Sequence, residues 1–197
     1  AAVRTIAALV LLVSTVATQE RAVREIAITF DDLPVVSVTD REGAGWSKIT
    51  DDLLAALVRN RVPAVGFVNE QKLERAGELE PARLALLQRW LAAGMELGNH
   101  SYSHLDFHSA DIEIFQRDVM RGERHIRGLM EGAGKKLRFF RHPYLHTGRS
   151  PEARRALDAF LAERGYQVAP VTIDNYDYVF AAAYERARMS WRSLFRS

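Results

Sequence analysis

Two aspartates in a row, Asp31-Asp32, follow the apolar residues 26–30 of a 197-residue chain. Adjacent carboxylates repel, so keeping both ionised takes a cation, either a metal ion or an arginine. One of the pair can then hold an ion while the other handles a proton; a turn or a helix cap is the alternative. His100-Ser101-Tyr102-Ser103-His104 places two imidazoles four residues apart. That spacing meets on one ion if the segment makes a helical turn. Two neutral histidines and a carboxylate form a three-ligand shell with a fourth position open to water, a catalytic zinc arrangement. His108 continues the rhythm, but three histidines in line do not converge on one ion, so it is expected to be exposed or to stand behind the ligands. His142 and His146 share the spacing across Pro143, which opposes a helical turn and leaves them weaker candidates.

Arg141-His142-Pro143-Tyr144 adds a fixed cation beside a rigid turn. The arginine can hold an aspartate by a two-pronged pair and keep it ionised. A backbone N–H past the proline can serve an oxyanion. A surface arginine on a tight turn is the plainer reading. Asp174-Asn175-Tyr176-Asp177-Tyr178 supplies two more carboxylates, which alone read as a loop and a helix cap. Lys135, Lys136 and Arg138 read as a solvated flank of a strand, not as a nucleic-acid surface.

Positioning these groups requires elements that end at them. Residues 25–30, 62–68, 95–98, 137–141 and 166–173 have the β-branched, apolar content of buried strands. Between them, 49–59, 84–93, 111–130 and 151–164 carry apolar residues at helical spacing, and 179–195 begins another helix. Ser150 with Pro151 marks a capped helix start, and Gly94 a helix end. Strand–helix alternation argues a parallel α/β sheet, whose carboxyl edge is where active sites are built. Each polar cluster falls on that edge. The composition, 48% hydrophobic with 26% charged residues and net charge +2, excludes disorder and demands no nucleic-acid partner. Without cysteine, any metal must take His and carboxylate ligands.

The ordered set TFDD, HSYSH, RHPY and DNYDY resembles the NodB-homology polysaccharide deacetylases, the fourth carbohydrate esterase family. The resemblance runs from about Glu25 to the C-terminus. It implies a deformed (β/α) barrel and metal-dependent removal of N- or O-acetyl groups from a glycan such as peptidoglycan or chitin-type oligomers. Carried over by motif, Asp31 is the base, and Asp32, His100 and His104 are the metal ligands. Arg141 holds Asp31, the Tyr144 N–H helps form the oxyanion hole, and Asp177 matches the aspartate that orients a catalytic histidine. Tyr178 stands where the family usually has tryptophan. The metal is expected to be Zn2+, with Co2+, Ni2+ or Mn2+ also suiting the donors. Two other readings remain open at this point: a metal-dependent amidase on a non-sugar bond, and a non-catalytic glycan-binding relative.

The family takes its acid from a histidine in a leucine-histidine motif after the fourth motif, and none follows Tyr178. The expectation is therefore a barrel incomplete at its C-terminus. At the other end, Arg4, the apolar residues 6–13 and a small-residue stretch to Ala17 read as a signal peptide over 1–17. That assigns 18–197 to the partial deacetylase domain and predicts a periplasmic or secreted protein with no stable membrane span. Oligomeric state is not encoded in any recognisable pattern.

Overall fold

The computed structural model describes residues 25–36, 43 and 45–194, with side chains described as far as residue 188. The expected signal peptide at 1–17 and most of residues 35–46 lie outside these residues. Strand β1 (Ile28–Leu33) pairs in parallel with β2 (Ala64–Val68), which pairs with β5 (Glu96–Asn99). Two short strands, β6 (Phe139–Phe140) and β7 (Gln167–Val168), extend the sheet in the order β1-β2-β5-β6-β7, parallel throughout. Helices α1 (Trp46–Arg59), α2 (Pro81–Ala92), α3 (Ile112–Arg121), α4 (Ile126–Gly132) and α5 (Pro151–Glu163) fill the crossovers, and α6 (Asp177–Leu194) follows. The only other strands among the described residues, β3 (Glu74–Arg75) and β4 (Glu78–Leu79), form a small hairpin between β2 and α2.

The central strands read as they do because they are buried: Phe67, Val68, Leu97 and Phe140 are fully enclosed. Leu87 and Trp90 of α2, Phe115 and Val119 of α3, and Leu157 and Leu161 of α5 pack over them. An apolar run buried on both faces is what a parallel sheet requires. The start of α5 is as expected, with the Ser150 hydroxyl accepting from Ala153 N–H at 3.2 Å and Pro151 at the first position.

Three elements depart from expectation. Strand β1 begins later than residue 25 and runs through Asp31-Asp32, with its register broken between Phe30 and Leu33. The single helix expected over 111–130 is two. Gly122 ends α3 against the Ser101–Tyr102 backbone, where a Cβ would lie 2.5 Å from the Ser101 carbonyl carbon. Buried Glu70 then accepts the N–H groups of His125 and Ile126 at 2.8 and 2.7 Å, so α4 starts anew. The strand expected over 166–173 is ordered as a ladder only at Gln167–Val168.

Candidate active site

The break in β1 decides where the two aspartates point. In a regular strand neighbouring side chains face opposite ways. Here Asp32 adopts φ +66, a bulge-like kink, and both carboxylates reach the same carboxyl edge. Asp31 Oδ1 accepts from Arg141 Nη1 at 3.0 Å, and its Oδ2 lies 4.0 Å from His100 Nε2. Asp32 Oδ1 lies 3.6 Å from His104 Nε2. Asp32, His100 and His104 each offer a ligand atom within 4.8 Å of the others. The sequence-predicted ligands therefore converge, and the predicted base stands beside them.

The route to convergence differs from the helical turn expected for 100–104. The segment is irregular, and Ser101 and His104 take φ +62 and +58. Side chains from three elements hold it in place of a helix ladder. Asn69 donates to the His100 carbonyl at 2.6 Å, and Ser101 N–H donates to Asn99 Oδ1 at 2.7 Å. Asp118 of α3 accepts from the N–H groups of Tyr102 and Ser103 at 3.2 and 3.0 Å. Such left-handed residues persist only where surrounding bonds over-determine them, and they gather at sites.

Electrostatics suit a cation. Burial pushes the His100 and His104 imidazoles below the ordinary histidine range, which keeps them neutral. Burial also acts to raise the Asp32 carboxyl, but the Lys72 ammonium, joined by His104 and His100 at the low pH where they are protonated, outweighs it and holds the carboxyl low. His100 Nδ1 lies 2.8 Å from the Arg141 carbonyl, a contact that only an N–H can make favourable. Its Nε2 is thus the lone-pair nitrogen, turned toward Asp31. A ring fixed by a backbone carbonyl on its far nitrogen is the usual support behind a histidine ligand. The donor set therefore fits a divalent ion.

Arg141, 4% exposed, is fixed from every side. Its Nη1 also donates to Thr29 Oγ1 at 2.9 Å, and its Nε to the Ala169 carbonyl at 3.1 Å. The guanidinium lies 4.4 Å over the Phe67 ring. Tyr144 (φ +57) lays its ring 4.4 Å from that of His104. Asp177 and Tyr178, in the first turn of α6, line a cavity of ≈ 470 Å³ together with Asp31, Phe30 and Trp90. Among the described residues no histidine pairs with Asp177.

The roles of four supporting groups escaped the sequence reading. Lys72 donates to the Asp32 carbonyl at 2.8 Å and sits 3.2 Å from its Oδ1. Asn69, Asn99 and Asp118 act through backbone contacts that no spacing announces. His142 is buried, pressed edge-on against Phe140, and burial lowers it to about 4. His146 and His108 lie away from the first cluster, stacked on each other. Lys135 caps the Gly94 and Met95 carbonyls, and Arg138 pairs with Glu96 on the flank of the sheet.

A family model described as "Polysaccharide deacetylase" matches residues 18–164. The chain is 29% identical over 119 residues to a chitooligosaccharide deacetylase of Sinorhizobium fredii, covering 60% of this chain and 46% of the relative. It is 27% identical over 166 residues to a chitin deacetylase of Pestalotiopsis sp, covering 84% and 47%. The chain thus spans about half the length of the curated relatives it matches. Among solved structures, a family 4 carbohydrate esterase from Streptomyces lividans is 24% identical with a TM-score of 0.53, covering 78% of this chain and 65% of that one. This likeness shows the fold, that of the NodB-type (β/α) barrel, to which the described residues contribute five parallel strands.

Proposed function

Because the chain belongs to the polysaccharide deacetylase family, we propose that it serves the hydrolysis of acetyl groups on a glycan, with Asp31 as base and Asp32, His100 and His104 as ligands of a divalent ion. One observation carries this reading. A carboxylate clamped by a buried arginine stands 4.0 Å from a histidine whose far nitrogen is already committed to a backbone carbonyl. A base and a ligand set share one wall, which is what acyl hydrolysis demands.

Bound there, a divalent ion would polarise the acetyl carbonyl and make a water more acidic. Zn2+ suits the two imidazoles and one carboxylate. Arg141 engages Asp31 Oδ1, which leaves Oδ2 to take the proton of the attacking water and return it to the departing glycan nitrogen or oxygen. Asp32, kept ionised beside Lys72, would offer its negative charge to the ion. The Tyr144 N–H is assigned to the developing oxyanion. Its ring, 59% exposed over His104, gives the sugar an apolar face. Asp177 and Tyr178 close the far side of the cavity beside Asp31. We place the protein in an exported compartment, on the strength of its N-terminal pattern and the extracellular location of polymers such as chitin and peptidoglycan. No helix among the described residues is long and apolar enough to cross a membrane.

The test is product analysis on chitin oligomers, peptidoglycan fragments and an O-acetylated glycan. Free acetate should appear with an equal amount of glycan amine or hydroxyl, stop on chelation, and resume with Zn2+. Acetate release that persists in chelator, or no release from any glycan in the presence of Zn2+, overturns the reading.

A further inference from the structure

We propose that Asp106, His108 and His146 form a second divalent-metal site, separate from the cluster at Asp32 and suited to a borderline ion such as Zn2+. Among the described residues these three form one of two groups whose ligand atoms all lie within 4.8 Å of one another. Their donors, two imidazoles and one carboxylate, favour Zn2+, Ni2+ or Cu2+ over Mg2+ or Ca2+.

The site is built rather than accidental. Asp106 opens a turn in which Ser109 and Ala110 N–H both donate to its carbonyl at 3.0 Å. Its own carboxylate is held from two sides, by His108 N–H at 2.7 Å on Oδ1 and Ser109 Oγ at 3.1 Å on Oδ2. Buried Phe107 anchors the turn in the core. His146 arrives from a segment 40 residues on, where its N–H is tied to the Pro143 carbonyl at 3.1 Å. Its Nδ1 lies 2.7 Å from Asp106 Oδ1.

The two imidazoles stack at 3.8 Å and 7°. A metal bonds a ring nitrogen in the ring plane, so an ion shared by both rings requires one of them to tilt out of this stack, a side-chain rotation that brings the two donors together. Bonds of about 2.0–2.2 Å place ligand atoms within about 4 Å of one another, a small closure for side chains at the surface. Asp106 and His146 are 30% and 37% exposed, so an ion can enter and keep water in its remaining positions. One tyrosine separates the two clusters: the Tyr144 ring lies 4.4 Å from His104 on one side and 5.7 Å from His146 on the other.

The experiment is a Zn2+ titration of the full chain by calorimetry, with metal content checked after dialysis. Native protein should hold two Zn2+ per chain. His104→Ala should retain one, and His146→Ala should also retain one, with the other site unchanged. His108→Gln, which keeps the backbone N–H that holds Asp106 Oδ1, should weaken the second event by more than the roughly 10–100-fold that even an outer partner of a ligand is worth. Circular dichroism on each variant excludes unfolding as the cause. A native stoichiometry of one, or two ions retained by His146→Ala, overturns the proposal.

Discussion

The two metal-ligand clusters carry the same donors, one aspartate and two histidines, yet they are built in opposite ways. At the first, His100 is 2% exposed and its ring is committed behind to the Arg141 carbonyl. At the second, the half-buried rings of His108 and His146 stack on each other, and His146 leans on the aspartate that shares their site. The first has a separate carboxylate, Asp31, braced by a buried arginine; among the described residues the second has none. On the proposed readings, the same donor set makes two different things: a centre with a base in reach and its geometry fixed in advance, and a clasp for an ion. Chemistry follows the supporting residues more than the ligand inventory.

The largest effect separating the clusters is expected from His104→Ala. It should cost the first site more than about 100-fold in Zn2+ affinity, beyond the range for outer partners, while the second keeps its value; competition with a chromogenic chelator measures both. Equal losses at both would show that the clusters are one site.

Next comes the support behind His100. Gly122→Ala forces a Cβ to within 2.5 Å of the Ser101 carbonyl carbon. A clash with backbone should destabilise the fold by about 1–3 kcal/mol, read by urea denaturation, and should weaken the first site alone. An unchanged midpoint would mean that the loop at 100–104 yields freely.

Glu70 lies under the same loop, and burial raises its carboxyl to about 7 from 4.5 despite two backbone donors. The folded chain then holds a proton that the unfolded chain releases, so the stability of this group is full below pH 4.5 and falls as pH rises through 7. Glu70→Gln keeps the acceptor and removes the titration. The variant should be flat over that window and more stable than native protein at pH 8, by about 2–3 kcal/mol. A native curve just as flat would remove this strain from the account.

The smallest effect is assigned to Lys72, whose ammonium contends with any ion for Asp32 Oδ1. Lys72→Met should tighten Zn2+ at the first site by about two- to fivefold, the scale of a part-exposed ion pair. The second site should not respond.

Much of the first cluster was legible because strand ends announce themselves: an apolar run stopping at Asp31-Asp32, Asn99-His100 or Arg141-His142 locates the carboxyl edge. Alternation of strands and helices sufficed for the parallel sheet. What escaped depends on the third dimension. No pattern shows that a kink at Asp32 turns adjacent carboxylates to one side, or that Ser101 and His104 reach left-handed backbone in place of a helical turn. The split at Gly122 is equally invisible, since helical periodicity continues through it and only the approach of Ser101 forbids one helix. Asp106 and His146 lie 40 residues apart, and nothing local joins them.

The central claim is that Asp31 is the base of a glycan deacetylation centre, and acetate release by Asp31→Asn tests it most directly. With Zn2+ saturating and chitin oligomers as substrate, the variant should bind the metal as tightly as native protein but release acetate about 10²–10⁴-fold more slowly, the worth of a placed general base. Release at the native rate by the Zn2+-loaded variant would contradict the account.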